Sequence, residues 1–352
     1  MSKLLETVTK YPQTEIWNDS CSCSELAHSI EDNGATGATT NPVIVCNVLK
    51  QELPDWEDTI CSEIACHPTA VEDDVAWALI QAMGVKASRL LLPQFEQSHG
   101  QKGRISFQIN AKYYRSPEKM IAQAMELAST CPNSQIKLPA SKAEIEAYEE
   151  LTYRGISINA TVSFTVAQAV AVAEAVERGL ERRKAEGKDT SEMHPVCTIM
   201  AGRVDDYLKA WLKPRNILID ADAIEHAGIY VVKHAYRIYQ EKGYHTKLLV
   251  AAFRNLDHWK AFIGNNIILT IPYAWQKKYN STDIEITEHM NEVMDANMLK
   301  ELNTLEEFRK AYEIDGLKPE EFEHYGAFLQ TMNQFLNGYD ELVRLVRGYM
   351  VR

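Results

Sequence analysis

Eight short apolar stretches recur along the chain: TEIWND (14–19), GATGATT (34–40), GRISFQI (103–109), SQIKLPA (134–140), ISINATVSF (156–164), HPVCTIMA (194–201), TKLLVAAF (246–253) and NIILTIP (266–272). Their length and β-branched content predict strands. Between them the apolar spacing changes to that of helices. In SPEKMIAQAMELAST (116–130), Met120, Ala124 and Leu127 recur at helical intervals, and VAQAVAVAEAVERGLERRKAEG (166–187) ends in a charged tail that predicts a helix running out into solvent. Strands alternating with helices predict a parallel sheet. Eight such units over about 250 residues fit a (β/α)8 TIM barrel, whereas an open doubly wound sheet more often stops at five or six strands. A Glu-, Leu- and Tyr-rich stretch with helical spacing follows the eighth strand. The expectation is one domain over 1–352, with a barrel core at about 14–275 and additional C-terminal helices at about 276–352 that pack on the barrel or on a partner subunit.

One segment breaks the apolar rule. SQIKLPA reads as a strand covered on both faces, yet Lys137 stands at its centre.

Composition narrows the partners. Of 352 residues, 37 are Lys or Arg and 49 are Asp or Glu, a formal charge of −12 that works against binding nucleic acid or an anionic membrane. An anionic substrate must then meet a local group of arginines or lysines. The N-terminal residues lack the basic start and apolar stretch of a signal peptide, and no apolar run is expected to approach the roughly 18 residues of a membrane span, so a cytoplasmic protein is expected. Seven cysteines suit reduced thiols better than a disulfide framework. Cys21-Ser-Cys23 and Cys61 with Cys66-His67 have no second pair at zinc spacing, so no metal is expected. No GxGxxG or GxxxxGK[ST] follows an early strand, and no cofactor is expected.

Barrel chemistry sits where strands end, at the carboxyl-terminal face. The polar residues there are Asp19, Thr40 and Asn41 before Pro42, Gln108 and Asn110, Lys137, Asn159 and Thr161, Arg203, and Arg254. Each has a bland alternative. Asp19 could cap the helix that follows it, Thr40 and Asn41 could serve the turn before a proline, and Asn159 and Thr161 could be hydrogen-bonded core residues. Arg203 and Arg254, at the ends of adjacent strands, form a clamp for one phosphate or pair with Asp205 or Asp206. Lysine ordinarily titrates near about 10.4, and making it neutral near about pH 7.5 costs about 4 kcal/mol, which a dry barrel interior can supply. A neutral amine there condenses with a carbonyl to form a Schiff base; the alternative is a structural ion pair. A carboxylate such as Asp19 across the cavity would move the proton during carbon–carbon cleavage.

The order of these segments, an early strand Asp, then GATTNP, GRISFQI, IKLPAS, GISINATVSFTVAQAVAVAEA, MAGR, and AAFRN followed by LTIP, resembles the transaldolase family of class I Schiff-base barrel enzymes over about residues 14–275. The resemblance implies that Lys137 attacks the C2 carbonyl of a ketose phosphate of the sedoheptulose 7-phosphate or fructose 6-phosphate type. It implies that Asp19 takes the C4 hydroxyl proton as the C3–C4 bond breaks, that Asn41 and Asn159 hold enamine hydroxyls, and that Thr161 fixes a catalytic water. Arg203 and Arg254 would bind the phosphate, with Thr40 and Met200 beside the substrate. Sugar phosphates are the implied partners, and a homodimer is the family's commoner assembly.

Three positions depart from the family pattern. Gln108 stands where most transaldolases carry a Glu that works through the water of the carbinolamine steps, and an amide positions water without taking its proton. Met200 replaces the aromatic residue of the sixth strand, and Ala252 replaces a Ser that precedes the seventh-strand Phe-Arg. Glu15 is a candidate substitute for the absent carboxylate. The resemblance thus implies a glyceronetransferase, with two alternatives: an aldolase like fructose-6-phosphate aldolase that releases dihydroxyacetone, or a non-catalytic sugar-phosphate-binding barrel.

Overall fold

In the computed structural model, which describes residues 1–351, all eight apolar stretches contain strands, and they close into one barrel. They are β1 (Thr14–Asn18), β2 (Gly37–Thr39), β3 (Arg104–Gln108), β4 (Ser134–Pro139), β5 (Ile158–Ser163), β6 (Val196–Met200), β7 (Lys247–Ala251) and β8 (Ile267–Ile271). Each pairs in parallel with its neighbour in sequence, and β8 returns to β1. Nearly every strand residue is buried, because side chains face either the barrel interior or the helical ring. This is the (β/α)8 architecture that the alternation predicts.

The connections are helical. A first helix, α1 (Lys3–Lys10), precedes β1, and α2 (Cys23–Asn33) follows it. Three helices, α3 (Pro42–Gln51), α4 (Leu53–Cys66) and α5 (Glu72–Gln97), fill the connection from β2 to β3. Single helices follow the next three strands: α6 (Pro117–Ala128), α7 (Lys142–Tyr153) and α8 (Val166–Ala185). Ser116 caps α6 and Thr165 caps α8, each hydroxyl accepting a first-turn amide hydrogen, which is why both helices start where they do. Then come α9 (Ala201–Leu212), α10 (Ala221–Glu225) and α11 (Ala227–Lys242) before β7, α12 (Asp257–Lys260) before β8, and α13 (Tyr273–Asn280) after it.

α5 differs from the expectation that no apolar run reaches membrane-spanning length, because it contains an 18-residue stretch long and apolar enough for one. Half of that stretch is buried in the molecule, along β3 and beneath the last helix. The contact with β3 is close: a Cβ on Gly84 would lie 2.2 Å from the Phe107 ring. Apolarity here serves packing.

The C-terminal extension forms α14 (Ala296–Leu302), α15 (Glu306–Tyr312) and the long α16 (Gly326–Met350). Of the two expected docking surfaces, this one is the chain's own barrel. α16 packs on α3, α5 and α9 and reaches β5. Its apolar face joins Val45, Leu49, Trp56, Leu79 and Met83 in a second core outside the barrel. The Tyr339 hydroxyl fixes the helix by donating to Asp73 across 2.6 Å.

Candidate active site

The carboxyl-terminal mouth of the barrel holds a cavity of about 180 Å³ lined by Lys137, Asp19, Asn41, Thr161, Met200, Arg203 and Arg254, all sequence candidates. Side chains from β4, β5, β6, the first turn of α9 and the loops after β1, β2 and β7 thus converge from distant parts of the chain. A cavity of about 270 Å³ elsewhere contains Arg104 and Arg183, but their guanidinium groups are engaged by the backbone carbonyls of Gly100, Ser134, Glu192, Tyr153 and Asp189. Those arginines are structural.

Lys137 is 4 % exposed, and its Nζ donates one long hydrogen bond, 3.3 Å, to the Thr40 carbonyl. Burial lowers its pKa, opposed by the charge of Asp19. Asp19 is raised, again chiefly by burial, with Lys137, the Thr39 hydroxyl and Arg203 opposing. Both groups are pushed towards their neutral forms. Asp19 does not cap α2, whose cap is Ser22. It accepts instead from Thr39 Oγ1 at 2.7 Å, and Thr39 lies 2.6 Å from Thr270.

Thr161 owes its setting to a strained backbone. Between Ala160 and Ser163 the register of β5 against β6 shifts, and Val162, a β-branched residue, has φ +50°. Such a bulge re-aims side chains and costs about 1–3 kcal/mol. Thr161 Oγ1 is buried without a hydrogen-bond partner at the cavity wall. A ligand or water would satisfy it.

Four sequence candidates stand outside the cavity lining, and one of them, Asn110, caps a short turn by accepting from the Lys112 amide. Asn159 is fully buried in a one-way chain of hydrogen bonds: Thr198 donates to Asn159, Asn159 to Ser106, and Ser106 to Gln135. Its amide is satisfied inside the barrel. Thr40 spends its hydroxyl on the Ser106 carbonyl. Gln108 donates to the Lys137 carbonyl at 3.3 Å, and its buried Oε1 has no partner. Within the lining, Asn41 accepts from the Ile44 amide as the cap of α3, which leaves its amide nitrogen for a ligand.

The two arginines differ. Arg203 belongs to the first turn of α9, not to the end of β6, because the helix begins at Ala201. Its Nε is buried and unpartnered. Burial lowers its pKa, and Arg254 does so further, opposed by Asp206 and Asp19. Arg254 lines the same cavity but pairs with Asp206, whose Oδ2 accepts from Nε at 2.9 Å and Nη2 at 2.8 Å. Of the two aspartates offered as partners, Asp206 is the one used.

Glu15 cannot replace the missing carboxylate. It sits near the amino-terminal end of β1, bonded to Lys247 at 2.5 Å, to Thr36 and to Trp17. Burial works to raise its carboxyl, but Lys247, His194 and Thr36 hold it at about 2. Among the described residues, no group of three or more His, Cys, Asp and Glu is placed to hold a metal ion.

Sequence reading missed four lining residues of consequence. Thr198 precedes Met200 by two on β6, so strand period could have found it. Its hydroxyl hydrogen goes to Asn159, so it offers the cavity an acceptor. Ile44 comes from α3, and Gln334 and Phe335 come from α16, which carries no signal for which of its residues reaches the mouth.

The family model for transaldolase/fructose-6-phosphate aldolase matches residues 16–323. Transaldolase 2 of Streptomyces avermitilis is 31 % identical over 233 residues, covering 64 % of this chain and 62 % of that protein. The transaldolase of Mycobacterium tuberculosis is 29 % identical over 233 residues, 64 % of this chain and 62 % of its own. That of Mycolicibacterium smegmatis is 29 % identical over 229 residues, with coverage of 64 % and 61 %. The chain therefore aligns with less than two thirds of these relatives' length.

Proposed function

The chain belongs to the transaldolase/fructose-6-phosphate aldolase family, and on that premise we propose that it transfers a dihydroxyacetone unit from a ketose phosphate to an aldose phosphate through a Schiff base on Lys137. One observation carries the proposal: Lys137 and Asp19 line the same cavity, each driven towards its neutral form. A neutral amine is the nucleophile the reaction needs, and a protonated carboxyl is the acid.

The Lys137 amine adds to the C2 carbonyl of a ketose phosphate such as fructose 6-phosphate. Protonated Asp19 then gives its proton to the departing carbinolamine hydroxyl, so water leaves and an iminium forms. The new positive charge favours the Asp19 carboxylate, which removes the C4 hydroxyl proton as the C3–C4 bond breaks. An aldose phosphate departs, and the bonding pair remains on Lys137 as a dihydroxyacetone enamine. An acceptor aldehyde reverses the sequence. Thr161 orients water, Asn41 and Thr198 meet hydroxyls, and Arg203 with Arg254 receives the phosphate. Asp19 in this scheme performs both proton transfers, which is how a neutral Gln108 is compatible with turnover. The chain acts in the cytoplasm on sugar phosphates.

A second reading is favoured by the same Gln108. Without a carboxylate at position 108 to manage the water, the fate of the enamine is set by water access, and an aldolase would release free dihydroxyacetone. The experiment is borohydride reduction after incubation with fructose 6-phosphate, followed by mass spectrometry. A reduced adduct on Lys137 is expected. No adduct with any ketose phosphate would remove both readings. Stoichiometric dihydroxyacetone over many turnovers without an acceptor would favour the aldolase.

A further inference from the structure

We infer that the buried Asp205–His258 pair is a positioning device for Arg254, and through it for the phosphate end of the substrate. The inference rests on Arg254 being a phosphate ligand.

β7 ends at Ala251, and the chain turns through Ala252 at φ +65°, a left-handed conformation that side chains other than glycine's disfavour. Ala252 and Arg254 both line the cavity. This turn is gripped by the start of α9. Gly202 has no Cβ, and one there would lie 2.0 Å from the Ala252 carbonyl oxygen and 2.6 Å from Arg254 Cγ. Asp206 holds the guanidinium. Asp205, one residue earlier, does not touch Arg254. It accepts from the Gly228 amide at the start of α11 and from His258 Nε2, each at 2.8 Å. His258 in turn accepts the backbone N–H of Arg254 at Nδ1, 3.0 Å away.

Both side chains of the pair are fully buried. The bonds determine the tautomer: Nδ1 must be bare to accept from Arg254, so the proton is on Nε2, where Asp205 receives it. An apolar pair of similar volume would fill the space without the cost of burying polar groups. It would not supply an acceptor aimed at the Arg254 amide. The pair therefore fixes the main chain of Arg254 relative to α9, which also carries Arg203. Both phosphate ligands are thereby referenced to one helix, despite the strained turn at Ala252.

Borohydride trapping on Lys137 tests this when titrated with two sugars, fructose 6-phosphate and dihydroxyacetone, which has no phosphate. His258→Gln places its amide nitrogen where Nε2 reaches Asp205 but has no acceptor at the Nδ1 position; His258→Asn places an oxygen there. His258→Gln should raise the half-saturating fructose 6-phosphate concentration about tenfold, with the dihydroxyacetone curve within about twofold of wild type, and His258→Asn should recover most of the loss. Asp205→Asn, whose amide would donate to Nε2 and drive the proton to Nδ1, should give the same split. It covers the case in which His258→Gln does not fold. Equal shifts for both sugars, or no difference between the Gln and Asn variants, would reduce the pair to packing and overturn the inference. Wild-type protein that traps neither sugar would instead show that Lys137 does not do this chemistry, and the inference would fall with that reading.

Discussion

Thr39 donates its hydroxyl hydrogen to Asp19 Oδ1 across 2.7 Å, and Thr270 stands 2.6 Å behind Thr39 as its own donor. This hydrogen bond lowers the Asp19 pKa while burial raises it. A hydrogen bond to a charged group contributes about 1.5–3 kcal/mol, equivalent to one or two pH units at about 1.36 kcal/mol each. Thr39→Val, nearly isosteric, should therefore move the acid limb of the kcat profile, which reports the iminium complex in which Asp19 must be ionised, upward by about one pH unit and slow turnover on that limb by up to about tenfold. An unshifted acid limb would show that Asp19 is not the group that must ionise.

Lys137 makes a stability prediction with a definite sign. Burial places its folded pKa below the unfolded value of about 10.4. Between those two values the unfolded chain binds the proton and the folded chain does not, so stability rises with pH across that window and falls as pH is lowered through it. Lys137→Met should abolish this slope and should be more stable than wild type near neutral pH. Urea midpoints from about pH 6 to about pH 10 measure it. Parallel curves for the two proteins would mean that the lysine is not depressed.

Phe335 is 2 % exposed and roofs the cavity from α16. A smaller side chain would admit water to an enamine waiting on Lys137. Phe335→Leu should raise the fraction of donor converted to free dihydroxyacetone when an acceptor is present, and should cost about 1 kcal/mol of stability. Product partition by chromatography checks the first effect, and a denaturant midpoint the second. An unchanged partition would assign α16 a purely structural part.

The barrel was legible because each strand announces itself in a few β-branched residues, and strand-to-helix alternation leaves little topological choice. Lys137 was legible for a related reason, as a charge in a segment otherwise fit for burial. Period two gives the face of a strand residue but not its depth along the barrel axis, so the sequence does not show that Asn159 bonds to Ser106 and Thr198 in a layer within the barrel. Arg203 was placed on a strand because MAGR contains no helix-start signal; α9 begins without a side-chain cap. The link from α9 to the Arg254 main chain passes through Asp205 and His258, and such a relay exists only once the chain is folded.

The amino-terminal end of the barrel supplies a prediction that separates stability from chemistry. Lys247 bonds to Glu15 at 2.5 Å, and the Glu15 carboxyl is held at about 2 against an ordinary value near about 4.3. A folded pKa below the unfolded one contributes stability that is present above about pH 4.3 and lost as pH falls through about 2; the difference amounts to about 3 kcal/mol. Lys247→Met removes the strongest opposition to burial. The Glu15 pKa should then pass above its unfolded value, and the pH slope should reverse, with stability declining as pH rises from about 4.3 towards neutral. The total loss at neutral pH should be about 3–5 kcal/mol, the usual cost of leaving one partner of a buried pair alone. Glu15→Gln in the Lys247→Met background removes the stranded charge and should recover part of that loss. Below its lowered unfolding temperature, each variant should trap fructose 6-phosphate on Lys137 with wild-type half-saturation, because Glu15 lies near the amino-terminal end of β1 while Lys137 opens on the carboxyl-terminal mouth. A tenfold or greater fall in the trapping rate with Glu15→Gln, in protein shown to be folded, would instead return Glu15 to the chemistry as the carboxylate that Gln108 lacks.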